Sequence, residues 1–251
     1  MHVHRTGSGN PALRCLPVLV GLLLGCAGPN AIHLRPYREM VEARPADIEA
    51  HYEYGSAAYA LGEWEIARNE FEQVLVEQPE DVLVRLKLAQ VQLQMGDVFQ
   101  ARDTYQFILD EDSENREARI LKGDTDMGLI RAFEQAGTLW FFGRSGEMNL
   151  FQRRLLEDWG ISYDELLDIY QEARDTWQWL VKKEPMNAEA WCKLGVVHNL
   201  TGKIQGAKAA FRLASIYNKR VISVSPFYES VCRATDSGVR WSPLIAVYSP
   251  Q

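Results

Sequence analysis

The sequence predicts an all-α protein built as a solenoid of antiparallel helix pairs, and three features of the 251-residue chain carry that prediction. An alanine is followed four residues later by an aromatic at five places: Ala67/Phe71, Ala101/Tyr105, Ala136/Trp140, Ala173/Trp177 and Ala207/Phe211. Successive alanines lie 34, 35, 37 and 34 residues apart, the period of a helix–turn–helix unit. Around the pairs the same punctuation returns. A glycine stands five residues before the alanine in three copies (Gly62, Gly96, Gly202), a small residue twelve or thirteen before it (Gly55, Ala89, Gly123, Gly195), and a proline twelve after it at Pro79 and Pro185.

Each position has a physical task. Gly55, Ala89 and Gly195 keep the first helix of a unit slim where the second crosses it, and Ala67 and its equivalents do the same from the other side. The aromatic then fills the wedge between one unit and the next. The predicted repeat core is therefore these five alanine–aromatic pairs together with Trp191. Gly62, Gly96 and Gly202 end the first helix in a left-handed conformation that a side chain resists. No unit buries its apolar face alone, so stability comes from stacking neighbours.

Arg5 and Arg14 form a positive region ahead of an apolar run, Leu16 to Leu24, that Pro17 and Gly21 interrupt. A membrane-spanning helix needs about 20 apolar residues, so the run predicts a secretory signal. It ends in Leu23-Leu24-Gly25-Cys26, which resembles the lipobox of bacterial lipoproteins, although Leu24 stands where a small residue is more usual. That resemblance implies a signal peptide over 1–25, acylation of Cys26 as the first mature residue, and a short tether over 26–31. Ala27 in place of aspartate implies the outer membrane. The alternative is plain secretion with cleavage after Ala27 or Ala31. Loss of residues 1–25 removes two arginines and no acid, taking the net charge from −7 to −9. An acidic chain without a basic run has no electrostatic footprint for nucleic acid, and acyl chains rather than surface charge would hold it to a membrane.

The units follow in order. Pro36 to Pro45 reads as an orphan second helix capping the stack, since Tyr37 precedes Phe71 by 34 residues and Pro45 precedes Pro79 by 34. Units one and two occupy about 46–79 and 80–113. The acidic turn Asp110 to Asn115 lacks the glycine and terminal glutamate of a calcium loop and reads as a solvated turn. Unit three starts near Arg116 with Gly123, Ala136 and Trp140. Unit four, about 144–185, is irregular: Glu147 to Trp159 as first helix, a turn at Gly160, and a capping box at Ser162-Tyr-Asp-Glu165 opening a long helix to Lys183. Its aromatics Phe151 and Trp159, with Trp140, Phe141 and Phe142, are either core or a membrane-contacting patch. Unit five closes near Tyr217 to Val221, completing a solenoid over 32–222. In 223–251, a cap and tail, a short helix runs from Pro226 to about Ala234 and an extended segment from Val239.

The copy Trp191-Cys-Lys-Leu194-Gly195, with Gly202, Ala207 and Phe211, resembles the tetratricopeptide repeat (TPR) consensus at nearly every diagnostic place. The resemblance covers most of the mature chain and implies a right-handed superhelix of about five units. It also implies a concave groove lined by first-helix positions 2, 5, 9, 12 and 13. In unit one these are Glu49, Tyr52, Ser56, Tyr59 and Ala60, and in unit two Leu83, Leu86, Gln90, Leu93 and Gln94. Unit three places Glu117, Ile120, Asp124, Met127 and Gly128 there, and unit five Glu189, Cys192, Val196, Asn199 and Leu200. Of these, Tyr52, Tyr59, Leu83, Leu86, Leu93, Ile120, Met127, Val196 and Asn199 are the expected partner contacts. Chaperone-binding relatives clamp a terminal carboxylate with lysine, asparagine and arginine. The apolar, aromatic character here departs from that and suits an amphipathic helix or extended apolar peptide, a partner's or the chain's own tail.

Catalytic chemistry leaves little trace. The histidines beyond the signal, His33, His51 and His198, are isolated in sequence. No zincin spacing, paired-cysteine motif, phosphate loop or nucleophile elbow is present. The expectation is a non-enzymatic scaffold or adaptor with no cofactor and no metal, bearing a covalent lipid on Cys26 and facing the periplasm. It would bind a protein or peptide and aid assembly of an envelope, secretion or pilus complex. Alternatives are a regulator of a cell-wall enzyme and, third, an enzyme whose site the sequence hides. Cys192 and Cys232 remain in the mature chain as a candidate disulfide for an oxidising compartment, or as two separate packed thiols.

Overall fold

The computed structural model describes residues 30–136 and 150–241. The signal segment 1–25, Cys26, Trp140, Phe141, Phe142 and the tail residues Leu244, Ile245, Val247 and Tyr248 lie outside the described residues. All regular elements among the described residues are helices, as predicted. They are α1 (Ala31–Ala43), α2 (Ile48–Leu61), α3 (Trp64–Glu77), α4 (Val82–Met95), α5 (Val98–Glu111), α6 (Arg116–Ala136), α7 (Leu150–Trp159), α8 (Tyr163–Lys183), α9 (Ala188–Leu200), α10 (Ile204–Tyr217) and α11 (Pro226–Asp236). A 3-10 turn covers Ile222–Val224. The chain divides into two compact units, with the boundary between Met95 and Gly96.

In the first unit, Asp47 caps α2 by accepting from the backbone N–H groups of Glu49 and Ala50. Gly62 ends that helix at φ +76°, the left-handed region a side chain resists. The crossing of α2 and α3 is as tight as the repeat demands: a Cβ added at Gly55 would stand 2.9 Å from the Phe71 ring. Ala67 and Phe71 are fully buried and join Leu34, Tyr54, Val74, Val84 and Val91 in one core. The capping helix begins at Ala31, five residues before the proline expected to open it. Pro36 lacks the N–H that would bond the Ile32 carbonyl, and the exposure of Ile32 leaves that carbonyl within reach of water.

In the second unit, α6 and α8 are each 21 residues long. A Cβ at Gly123 would lie 2.6 Å from Thr176 Cγ2 and 3.1 Å from the Trp177 ring, and one at Gly195 would lie 3.1 Å from Phe211. The partner of α6 is therefore α8, with α7 inserted between them. This corrects the division between units three and four: the helix that crosses α6 is α8, which the spacing assigns to unit four. Ala136 is the last residue of α6, half-buried at the end of that helix and far from the crossing at Gly123. Its expected partner, Trp140, lies outside the described residues. The third copy has Arg131 where the first, second and fifth have a terminating glycine, so its first helix runs on. The true crossing residues Ala173, Trp177, Ala207 and Phe211 are buried as expected, Ala101 and Tyr105 on α5 likewise, and Trp191 is half-buried. The capping box at Ser162 forms in full, with Glu165 answering the Ser162 N–H.

Candidate partner-binding faces

In the first unit the groove positions of α2 and α4 form an open face. Tyr52 and Tyr59 are half-buried; Tyr52 leans on Phe71, and Tyr59 meets Trp64 edge-on with ring centroids 5.5 Å apart. Lys87 Nζ lies 5.9 Å from the Tyr52 ring centroid and 5.8 Å from that of Tyr59, within range for attraction between a cation and the π-face. The Tyr59 hydroxyl donates to Gln90 Oε1 at 3.3 Å. Leu83 is 56% exposed, Leu93 is half-buried and Leu86 is buried. Lys87 is the residue that groove-position reasoning missed. It sits four residues after Leu83, one turn along the same face, and that spacing was available in the sequence.

In the second unit the equivalent positions are closed by the chain itself. Cys192, Val196, Asn199 and Leu200 are buried, α11 packs on α9, and the turn at 237–241 continues over its C-terminal end. Asn199 Nδ2 donates to Thr235 Oγ1 and to the Val239 carbonyl, each at 2.8 Å, while its Oδ1 accepts from the Trp241 N–H at 2.6 Å. Trp241 is buried edge-on against Phe227 at 5.1 Å, and its indole N–H donates to Ser230. Arg240 donates to the Leu200 carbonyl and to Glu134, which also accepts from the Tyr170 hydroxyl. Val196 and Asn199 are thus not open partner contacts, because the chain's own C-terminal cap occupies them. Met127 is likewise core, 4% exposed; Ile120 is half-buried.

Charge is also built into this unit. Asp126 is fully buried beside Arg102 (2.5 Å) and Lys122 (3.6 Å), and Lys122 and Arg102 both reach Glu172. Lys193, on α9, pairs with Asp124 and Glu189 and stands 4.5 Å from the Trp177 ring. Burial pushes the Lys193 ammonium down, but the two carboxylates outweigh it and its pKa is raised. The candidate disulfide is corrected to two free thiols. Burial, with lesser contributions from nearby charges, pushes Cys192 up to about 12 and Cys232 up to about 11, and a thiol so disposed resists forming the nucleophilic thiolate.

His51 and His198 are structural, and His33 is exposed on α1. His51 Nδ1 meets Glu70 at 2.6 Å and Nε2 meets the Pro45 carbonyl at 3.0 Å. His198 packs where a Cβ at Gly206 would touch its ring, and burial lowers its pKa. Among the described residues no group of histidine, cysteine and acidic side chains is placed to hold a metal ion, and no helix is long and apolar enough to cross a membrane.

Comparison with known proteins agrees with this architecture. The sequence matches no curated protein. Solved structures of similar fold include MamA, at 16% identity and TM-score 0.53 over 80% of this chain and 87% of that one. A MamA RS-1 double mutant shows 16% and 0.53 over 83% and 90%. YrrB, described as a TPR protein with an unusual peptide-binding site, shows 13% and 0.53 over 84% and 88%. At these identities the likeness is one of fold. The tetratricopeptide repeat profile matches residues 52–115 and 158–219, just over half of the chain. The second stretch spans α8 to α10, the helices whose crossings at Gly123 and Gly195 repeat the one at Gly55. The chain belongs to the tetratricopeptide repeat family.

Proposed function

We propose that the chain is a non-enzymatic TPR scaffold that holds a protein or peptide partner on the α2–α4 face, tethered by a lipid on Cys26 to the outer membrane and facing the periplasm. One observation carries the binding role: in the first unit Lys87 lies over two half-buried tyrosines, one turn from an exposed Leu83, and has no carboxylate partner among the described residues. The equivalent face of the second unit is filled. A segment suited to the open face carries an apolar side chain for Leu83 and Leu93 and an acidic one for Lys87. TPR proteins use this face for peptides in general, and YrrB is described as having a peptide-binding site. The membrane anchor is supported by Leu23-Leu24-Gly25-Cys26 followed by Ala27.

A photo-crosslinking residue at Leu83 should give one discrete adduct in cells. That adduct should vanish in Tyr52→Ala/Tyr59→Ala, and the same probe at exposed Val76 on α3 should give none. Equal labelling from both positions would remove the α2–α4 face from consideration. Metabolic labelling with an alkynyl fatty acid should mark the wild type and not Cys26→Ser; equal labelling would remove the anchor.

A further inference from the structure

We propose that the cleft between α5, α8 and the α7–α8 turn binds a basic side chain, above all an arginine, of a partner protein. The cleft has a volume of about 450 Å³. Its floor is aromatic and apolar: Phe99 and Trp159, both half-buried, meet edge to face at 6.1 Å beside Ile161 and Ile169. Its rim is acidic, with Asp103 on α5 and Asp168 and Glu172 on α8, while Glu165 is engaged in capping its own helix. The cation already there, Arg102, is held by buried Asp126 and by Glu172. Asp103 and Asp168, by contrast, have no ion-pair partner among the described residues.

Two independent features point to an external guanidinium. A planar cation gains from stacking on an aromatic face and from pairing with carboxylates, and this cleft supplies both. The wall is also absent from a regular unit. Trp159 belongs to the inserted α7, and Asp168 to the added front of α8, which is 21 residues long against 14 for α3, α5 and α10. The carboxylates are not grouped for a metal ion, and an acidic rim excludes phosphate-bearing ligands. The cleft and the α2–α4 face share no residue, so the two proposals fail independently.

The test uses the mature protein and the capped peptide acetyl-Ala-Arg-Arg-Ala-amide, followed by nuclear magnetic resonance, with the same peptide carrying citrulline as the uncharged isostere. The Trp159 indole N–H and the amides of Phe99, Asp103 and Asp168 should shift with arginine and not with citrulline. Asp103→Asn/Asp168→Asn, which changes only exposed side chains, should weaken binding about tenfold, and raising the salt should weaken the wild type alike. A charge-matched control on exposed α3 residues, Glu72→Gln/Glu77→Gln, should leave affinity unchanged. Equal binding by the citrulline peptide, an equal loss in the control, or shifts lying elsewhere would each overturn the proposal.

Discussion

Asn199 is the sharpest test of the self-filled groove. Its amide makes three hydrogen bonds to the C-terminal cap, at 2.8, 2.8 and 2.6 Å, from a side chain with no exposed surface. Each such bond contributes about 1 kcal/mol net, and a buried donor left without a partner costs about 1–3 kcal/mol. In Asn199→Ala the Trp241 N–H becomes that donor, whereas Thr235 retains its bond to the Val231 carbonyl and the exposed Val239 segment can turn to water. The expected loss is about 2–4 kcal/mol. It should be concentrated in α11 and residues 237–241, because a repeat stack loosens locally before it unfolds. Urea denaturation measures the total, and hydrogen exchange read peptide by peptide locates it. A change below about 1 kcal/mol together with unaltered protection over 226–241 would refute the clamp.

Further outcomes follow from particular contacts. Gly123→Ala should destabilise by about 1–3 kcal/mol, since its Cβ would enter Thr176. Gly128→Ala, with nothing within 4 Å on the same helix, should stabilise by about 0.5–1 kcal/mol; thermal melts of the two variants decide. Trp177→Ala, emptying a site 1% exposed, should cost about 3–5 kcal/mol by denaturant titration. His51 has its pKa raised above 6.5: burial opposes the charged ring, but the Pro45 carbonyl and Glu70 together outweigh it. Its stabilisation is complete below 6.5 and is lost as the pH rises through the higher folded value. The melting temperature of the wild type should therefore fall relative to His51→Asn across that interval, and parallel profiles would count against the pairing.

What the sequence determined by itself is the local chemistry of the repeat. Gly55, Gly123 and Gly195 had to be small, Gly62 and Gly202 had to end helices, and Ser162 with Glu165 had to begin one. Each of those demands is met within a few residues or at one recurring crossing, so the 34-residue period carries it. Tertiary structure alone decided which helices cross. Ala136 kept the period yet lies at the end of α6, because Arg131 lets that helix continue and its Gly123 seats against Trp177 from beyond an insertion. Likewise Asn199 occupies a groove position by spacing, and the return of α11 onto α9 converts it from a surface amide into a buried clamp. Lys87 shows the reverse, an ordinary lysine by sequence that two tyrosines from a neighbouring helix make part of a face. Burial and pairing depend on segments tens of residues away, and no spacing rule within one helix encodes them.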